Sequence, residues 1–348
     1  MILDRDSVQK PIRIRLRRPD NWHNHFRQKG DPRFAPTVAY IARQFARANA
    51  MGNIDPPILT ATQMIGYWND IREVAKAAGF LDFKPLMVVM ASPNTTPAML
   101  TAAFSAGAYG VKIMPANATT NSAHGIIDYK DPKFLDVLRV TRDQRRTALF
   151  HAELPSRPRA VRERAFIPIL DQIRKKIPDL KICVEHISDA QMVEWVINQG
   201  DLVCATVTPH HMSVTSDMAD QDPHLQCMPY PKSLQDVFAV RTAAMSHPRF
   251  FYGSDNASHL RPAKERTDAS PASGVFTAPT ELPVLVELFE AHGHLDQLEE
   301  FLCERGAHWH GVPLNQGEIE LVRNPWDVPD VIDLCNGHEI VPYNTIPH

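Results

Sequence analysis

Eight short apolar segments alternate with longer segments of helical spacing along this chain of 348 residues. Strands that alternate with helices form parallel βαβ units, and eight such units predict a closed (β/α)8 barrel. No Gly-x-Gly-x-x-Gly follows the first segment to indicate an open dinucleotide-binding sheet. The predicted strands are Ile12–Arg17, Arg47–Met51, Pro85–Ala91, Gly110–Met114, Ala148–His151, Lys181–Glu185, Leu202–Val207 and Arg249–Gly253.

The helical pattern loosens after the eighth predicted strand and its helix. From about Gly293 onward the chain is rich in Pro and Asn, so residues 1–348 are expected to form one barrel domain, with 293–348 as a C-terminal extension packed on it. Ser188-Asp-Ala-Gln191 has the form of a capping box that opens a helix. The predicted helices are Pro36–Ala48, Ala61–Ala78, Pro97–Ala106, Pro132–Arg146, Val161–Lys176, Ser188–Asn198, Leu234–Ser246 and Glu281–Ala291.

The bulk composition gives no reason to expect a nucleic-acid or membrane partner. A net charge of -3 offers no basic surface for polyanions, and no apolar run approaches the roughly 18 to 20 residues that span a bilayer. The N-terminus lacks the basic and then apolar pattern of a signal peptide. The 5 cysteines are widely spread without a Cys-x-x-Cys, which predicts reduced thiols in a cytoplasmic protein.

Polar residues cluster where the predicted strands end. In an extended chain residues i and i+2 point to one side, so His23 and His25 aim two imidazoles at a single point, as a metal ion requires. The same spacing recurs at residues 292–294 and 308–310, so it needs support from elsewhere. Barrel active sites lie at the carboxyl ends of the strands, and those ends supply Arg27, Asn53, Lys112, His151, His186, Asp255 and His259.

Each of these residues has an ordinary structural explanation when taken alone. His151 or His186 could be a hydrogen-bonded core histidine, and Asp255 could cap a helix. Lys112 is harder to explain, because a lysine within an apolar strand is costly to desolvate unless it is paired or loses its charge. A neutral amine can capture carbon dioxide as a carbamate, which is a carboxylate able to bridge two metals. The conjunction at separate strand ends favours a metal site.

With these residues in place, the chain resembles the amidohydrolase superfamily, and most closely the class II dihydroorotases, the single-enzyme bacterial and fungal type. The resemblance covers roughly residues 11 to 345. It departs from the usual pattern at Gln28, Gly52, His210 and the segment 267–275. The stretches that carry it are Arg18–Arg27, Lys112–Asn121 with His124-Gly125, Leu149–Glu153, Glu185–Ile187, Thr206–Pro209, Pro223–Pro229, Gly253–Asp255 with His259, Ala278–Thr280 and Gly311–Asn315.

The resemblance implies two zinc ions per subunit, about 3.5 to 4 Å apart. His23, His25 and Asp255 would hold one ion and His151 and His186 the other, bridged by a hydroxide and by Lys112 as N6-carboxylysine. Asp255 would also carry the catalytic proton. The implied reaction is the reversible interconversion of (S)-dihydroorotate plus water and N-carbamoyl-L-aspartate, in pyrimidine (UMP) biosynthesis by a homodimer.

The substrate is an acid, and the resemblance assigns it a set of contacts. Arg27 can grip a carboxylate with two parallel hydrogen bonds, and its place two residues past His25 predicts the same side of an extended chain. The other expected contacts are Asn53, His259, the loop hydroxyls of Thr119 and Thr120, and the backbone at Met228 and near Ala272 or Ser273, with Ser273 preferred.

Two other functions remain open at this point. The same metal frame could serve another binuclear amidohydrolase, hydantoinase-like or lactonase-like, because fold and metal set the reaction class and not the substrate. The third possibility is a catalytically inactive scaffold. An inactive scaffold predicts lost ligands, whereas every expected ligand is present.

Overall fold

The computed structural model describes residues 13–324, 326–334 and 337–344, so Ile12 of the first predicted strand and Cys335 lie outside the described residues. The strands are β1 (Arg13–Arg17), β2 (Asp20–Asn24), β3 (Arg47–Ala50), β4 (Lys84–Met90), β5 (Gly110–Ile113), β6 (Thr147–Phe150), β7 (Lys181–Val184), β8 (Val203–Val207), β9 (Phe250–Tyr252), β10 (Glu318–Val322), β11 (Ile332–Asp333) and β12 (Glu339–Ile340).

The described residues also form helices between and after the strands. They are α1 (Phe34–Gln44), α2 (Ala61–Ala77), α3 (Pro97–Ser105), α4 (Pro132–Asp143), α5 (Ile167–Lys176), α6 (Ala190–Asn198), α7 (Ser216–Gln221), α8 (Leu234–Ser246), α9 (Arg261–Lys264), α10 (Glu281–Ala291) and α11 (Arg305–His310). Within the ranges given above, no helix has the length and apolar character needed to cross a membrane.

Strands β2 to β9 form one 8-stranded parallel sheet in sequence order. Its two ends are joined by backbone hydrogen bonds, because the amide of Asp255 donates to the carbonyl of His23 at 3.0 Å and the amide of His25 donates to the carbonyl of Asn256 at 3.0 Å. The (β/α)8 barrel predicted from the sequence is therefore confirmed. The carboxyl ends of all these strands lie at one rim.

The first predicted strand, Ile12–Arg17, is not a barrel strand. Its described part is β1, which pairs antiparallel with β10 from Arg13 opposite Val322 to Arg17 opposite Glu318. The prediction was wrong because alternating apolar residues mark any half-covered strand, whereas the true first strand, β2, is polar and buried. Hydrogen bonds compensate that burial, such as the one from Nε of Arg47 to Asp20 at 2.7 Å.

Several helix limits also differ from the predictions. Helix α1 ends at Gln44 and not Ala48, because the chain from Arg47 onward is needed for β3. The capping box predicted at Ser188 is wrong by one residue. Asp189 is the N-cap, with its carboxylate accepting from the amide of Gln191 at 2.8 Å, while the hydroxyl of Ser188 donates to Glu163.

The amino-terminal end of the barrel is filled with side chains and covered by α11. Gly306 of this helix lies directly against the indole of Trp22, so a larger residue would collide with the ring. The ring of His310 stacks on Trp22 with centroids 4.3 Å apart, and Lys181, the first residue of β7, donates to the carbonyl of Trp309 at 2.6 Å. The His308-x-His310 copy thus lies at the end of the barrel opposite the strand carboxyl termini.

Candidate metal centre

A narrow cavity opens at the carboxyl ends of the barrel strands. Every site residue predicted from the sequence lines it, and they share the wall with Met114, Ala257 and Gly274, which the sequence did not single out. The predicted residues that meet there are His23, His25, Arg27, Asn53, Lys112, Thr119, Thr120, His151, His186, Met228, Asp255, His259 and Ser273.

One group of donor atoms lies at the carboxyl ends of the barrel strands β2 and β9. Nε2 of His23 lies 3.4 Å from Nε2 of His25, and Oδ1 of Asp255 lies 3.3 Å from the first nitrogen and 3.0 Å from the second. Ligands bound to one zinc ion at about 2.0–2.2 Å in a tetrahedron are separated by about 3.3 Å. These side chains therefore already have the spacing of ligands around a single ion.

A second pair of nitrogens lies just after the ends of β6 and β7. Nδ1 of His151 is 3.2 Å from Nε2 of His186, and both side chains are buried. His186 has a φ of 43°, a left-handed conformation that few residues with a side chain adopt. This conformation breaks the strand alternation, so Glu185 and His186 both face the barrel mouth although they are neighbours in sequence.

Lys112 ends in the space between these groups. Its side chain is 1% exposed, and among the described residues its Nζ has no hydrogen-bond partner and only one acid within 4.0 Å, Glu185 at 3.9 Å. Burial lowers the pKa of Lys112 to about 7. A buried amine with a lowered pKa and no hydrogen-bond partner among the described residues fits the carbamate expected from the sequence.

Two carboxylates that the sequence analysis did not assign a role support the imidazoles from behind. Oε2 of Glu153 lies 2.9 Å from Nε2 of His151, and Glu185 contacts Nδ1 of His23. Acids on the far nitrogen of a metal-binding histidine fix its tautomer and ring orientation. A sequence signal existed for Glu153, which follows His151 by two residues and so shares its side of an extended chain.

The protonation states around the cavity also suit metal binding. Burial lowers the pKa of His23 to about 3 and places that of His186 well below its usual value. Burial alone would raise the pKa of Asp255, but the neighbouring imidazole of His186 and hydrogen bonds from His23 and His25 hold it well below its ordinary range. Neutral imidazoles beside an ionised carboxylate form the donor set that zinc prefers.

Arg27 forms a cationic wall on the other side of the cavity. Its guanidinium is buried and donates from Nε to the carbonyl of Ser258 at 3.0 Å, with one NH2 group 3.3 Å from Nε2 of His259. No described acid lies within 4.0 Å of it. The sequence argument placed Arg27 on an extended chain, which is wrong, because its φ is 71°; the turn, and not the strand alternation, aims it into the cavity.

The loop after β5 covers part of the cavity and contacts Asn53. The side-chain amide of Asn53 donates to the carbonyl of Thr120 at 3.2 Å, and that of Asn121 donates to the carbonyl of Asn53 at 3.3 Å. Ser122 ties the base of the loop, since its hydroxyl donates to the carbonyl of Thr119 at 2.6 Å. Both predicted threonines thus sit over the cavity in this conformation.

Lys264 holds the remaining wall together, and the sequence analysis did not assign it a role. Its buried Nζ donates to the carbonyls of Gln226 at 2.8 Å, Ala272 at 2.9 Å and Gly274 at 2.8 Å. The carbonyl of Ser273 in turn lies 2.9 Å from Nε2 of His259. The ammonium group therefore joins the 272–274 segment to the chain that leads into Met228.

This fold and this site define a barrel enzyme of the metal-dependent amidohydrolase type. No protein-family model matches the chain. Dihydroorotases from Hahella chejuensis and Yersinia enterocolitica are 36% and 34% identical to it, over 94% and 96% of this chain and 95% and 96% of theirs. The chain therefore belongs to the dihydroorotase family, a family of cyclic amide hydrolases.

Solved structures agree with this assignment. A Saccharomyces cerevisiae dihydroorotase in complex with 5-fluoroorotic acid has a TM-score of 0.88 at 27% identity and covers 95% of each chain. A Campylobacter jejuni dihydroorotase has a TM-score of 0.87 at 28% identity, covering 98% of this chain and 97% of that one. An L-hydantoinase from Arthrobacter aurescens, at 18% identity and a TM-score of 0.72 over 86% of this chain and 72% of its own, shares the fold alone.

Proposed function

We propose that this chain is a zinc-dependent dihydroorotase that interconverts (S)-dihydroorotate plus water and N-carbamoyl-L-aspartate in de novo pyrimidine biosynthesis. One observation carries the proposal. A single cavity combines donor atoms at the spacing of metal ligands with a buried guanidinium, Arg27, that has no described acid within 4.0 Å. A buried cation without a counter-charge favours an anionic ligand, and dihydroorotate is a cyclic amide that carries a carboxylate.

The donor set fits two zinc ions. His23, His25 and Asp255 would hold one ion and His151 and His186 the other, and Lys112 as N6-carboxylysine would provide a further carboxylate ligand. Zinc supplies a Lewis acid that polarises a carbonyl and lowers the pKa of bound water. The Nζ of Lys112 has no hydrogen-bond partner among the described residues. This supports its modification, because the oxygens of a carbamate there would have metal ions to bind.

The chain's own residues would then bind the substrate and move the proton. Arg27, Asn53 and His259 would hold the carboxylate, the hydroxyls of Thr119 and Thr120 would close over it, and the backbone at Met228 and Ser273 would contact the ring and the acid. Asp255 would accept the proton of the attacking water and deliver it to the ring nitrogen that leaves. Its position among the proposed metal ligands supports this role, because Oδ1 of Asp255 lies 3.0 Å from Nε2 of His25 and 3.3 Å from Nε2 of His23.

A hydantoinase-like or lactonase-like activity is the second candidate, because the hydantoinase barrel shares this fold. The cationic wall argues against it, since an uncharged ring leaves Arg27 buried without a partner. An inactive scaffold is disfavoured by the complete donor set. We also propose that the enzyme acts as a homodimer in the cytoplasm. The described cysteines are free, as expected of reduced thiols.

Initial rates on zinc-loaded protein test the proposal. We expect turnover of dihydroorotate that far exceeds turnover of unsubstituted hydantoin and that Asp255→Ala abolishes. A folded protein with full zinc and no turnover of dihydroorotate would overturn it, and preference for hydantoin would support the second candidate. Absence of both zinc and a carbamate on Lys112 would favour the scaffold.

A further inference from the structure

A second cluster of metal-ligating side chains lies outside the substrate cavity. His210 and His211 follow strand β8, and Cys227 lies in the segment before α8. Their donor atoms all lie within 4.8 Å of one another, and all of these side chains are buried. None of them lines the cavity that holds the proposed binuclear site, so this cluster has no part in the reaction described above.

His210 is the unusual member of the cluster. It is 0% exposed, and neither of its ring nitrogens has a hydrogen-bond partner among the described residues. A neutral imidazole always carries one N–H, so this arrangement leaves a donor and an acceptor buried and unsatisfied, which is costly. Buried polar groups without partners often indicate an ion or water that satisfies them.

The distance between two of the donor atoms matches a tetrahedral ion. Sγ of Cys227 lies 3.5 Å from Nε2 of His211. Zinc bonds of about 2.3 Å to sulfur and about 2.0–2.1 Å to nitrogen place two such atoms about 3.5 Å apart. The carbonyl of Pro229 faces both atoms, 3.2 Å from the sulfur and 2.9 Å from the nitrogen, and offers an oxygen as a fourth donor.

We propose that His210, His211 and Cys227 bind a third zinc ion, with the carbonyl of Pro229 completing the coordination. On binding, the S–H bond of Cys227 breaks, its proton passes to water and an S–Zn bond forms. Thiolate and imidazole together select zinc over magnesium or calcium, which prefer oxygen ligands. The far nitrogen of His211 is already oriented, since Nδ1 lies 2.9 Å from the hydroxyl of Thr208.

The ion would fasten two segments that shape the substrate cavity. The chain after β8 would be tied to residues 226–229, which carry Met228 and accept a hydrogen bond from the amide of Gly274 at the carbonyl of Gln226, 2.9 Å away. The site is structural in kind, because all of its ligands are buried and none touches the cavity. The inference does not depend on the proposed reaction.

Cobalt substitution tests it, because the proposed binuclear site contains no cysteine. Protein produced in cobalt-supplemented minimal medium should show a thiolate-to-cobalt charge-transfer band in the near ultraviolet, and zinc protein should carry three ions per chain. Cys227→Ser should remove the band and one zinc ion. Cys303→Ser is the matched control, since that thiol is also buried and donates to a carbonyl, Arg17, at 3.1 Å, without histidines beside it.

His210→Gln keeps the thiol and provides a second test if Cys227→Ser does not fold. We expect this variant to lose the third ion to a mild chelator at least about tenfold faster than the wild type. A wild-type protein without the band, a band that survives Cys227→Ser, or unchanged retention in His210→Gln would overturn the proposal. In that case the thiol and His211 simply donate to the carbonyl of Pro229. Failure of dihydroorotate turnover would leave these readouts intact.

Discussion

Oε2 of Glu153 lies 2.9 Å from Nε2 of His151, while Nδ1 of the same ring lies 3.2 Å from Nε2 of His186. The carboxylate thus occupies one ring nitrogen of His151, Nε2, and leaves the other, Nδ1, for a metal. Both Glu153 and His151 are buried, and burial alone would raise the pKa of Glu153, but the hydrogen bond to His151 holds it below its usual value. The acid therefore stays ionised and fixes the ring's tautomer.

Removing the negative charge of Glu153 should weaken metal binding while every proposed metal ligand stays in place. Glu153→Gln keeps the shape but cannot orient the ring as an anion does, so we expect metal affinity or turnover to fall about 10–100-fold. Zinc competition with a chromogenic chelator measures the first quantity and initial rates the second. Glu194→Gln, on the exposed face of α6, is the control. Unchanged zinc affinity and rate in Glu153→Gln would contradict the assigned role.

Binding of the substrate's carboxylate should depend on the planar guanidinium of Arg27. Arg27→Lys retains the charge but loses the pair of parallel donors, so kcat/KM for dihydroorotate should fall about 10–100-fold. Turnover of dihydrouracil, the same ring without the carboxylate, should not fall with it. Arg139→Lys is the control, because that guanidinium pairs with Asp136 at 2.6 Å on α4 and does not line the cavity. An equal loss with both substrates would mean that Arg27 supports the fold instead.

Lys264 should act on substrate binding through the 272–274 segment. Lys264→Met leaves the carbonyls of Gln226, Ala272 and Gly274 without their shared donor. An unsatisfied buried carbonyl costs about 1–3 kcal/mol, so we expect KM to rise about tenfold with a smaller change in kcat. Lys175→Met, on the exposed side of α5, should change neither. A fall in kcat at constant KM would contradict a role of Lys264 in substrate binding.

Carbamate formation on Lys112 should depend on pH around neutrality. Burial lowers the pKa of Lys112 from 10.5 to about 7, so the amine is neutral above that pH and protonated below it. Only the neutral amine captures carbon dioxide. Metal-free protein with ¹³C-bicarbonate should therefore give a carbamate NMR signal at about one pH unit above 7. The same signal should be weaker at about one pH unit below 7. Lys112→Met should give no carbamate signal. A signal independent of pH would contradict the dependence of carbamate formation on the neutral amine.

Patterns along the chain identified the barrel because they are local. Alternation of strands and helices repeats eight times, and the misassigned barrel strand, β1 in place of β2, arose where buried residues are polar. A lysine inside the apolar run that became β5 indicated a site because desolvation is costly wherever the strand lies. The metal-ligand candidates followed from their positions at strand ends, which the barrel brings to one rim.

Tertiary contacts decided where those side chains point. Arg27, His186 and Asp255 have φ values of 71°, 43° and 47°, which alternation along a strand cannot predict. Neighbouring strands help hold two of these conformations, since the amide of His186 donates to the hydroxyl of Thr206 at 2.7 Å and that of Asp255 to the carbonyl of His23 at 3.0 Å.

The supporting partners were also decided in three dimensions. Glu185 reaches His23 across the barrel, and Cys227 meets His211 from a segment that follows β8 by many residues. Hydrophobic periodicity and helix propensity describe residues a few positions apart, whereas these contacts join residues far apart in sequence. The sequence therefore determined which groups are available for chemistry, and folding determined which of them meet.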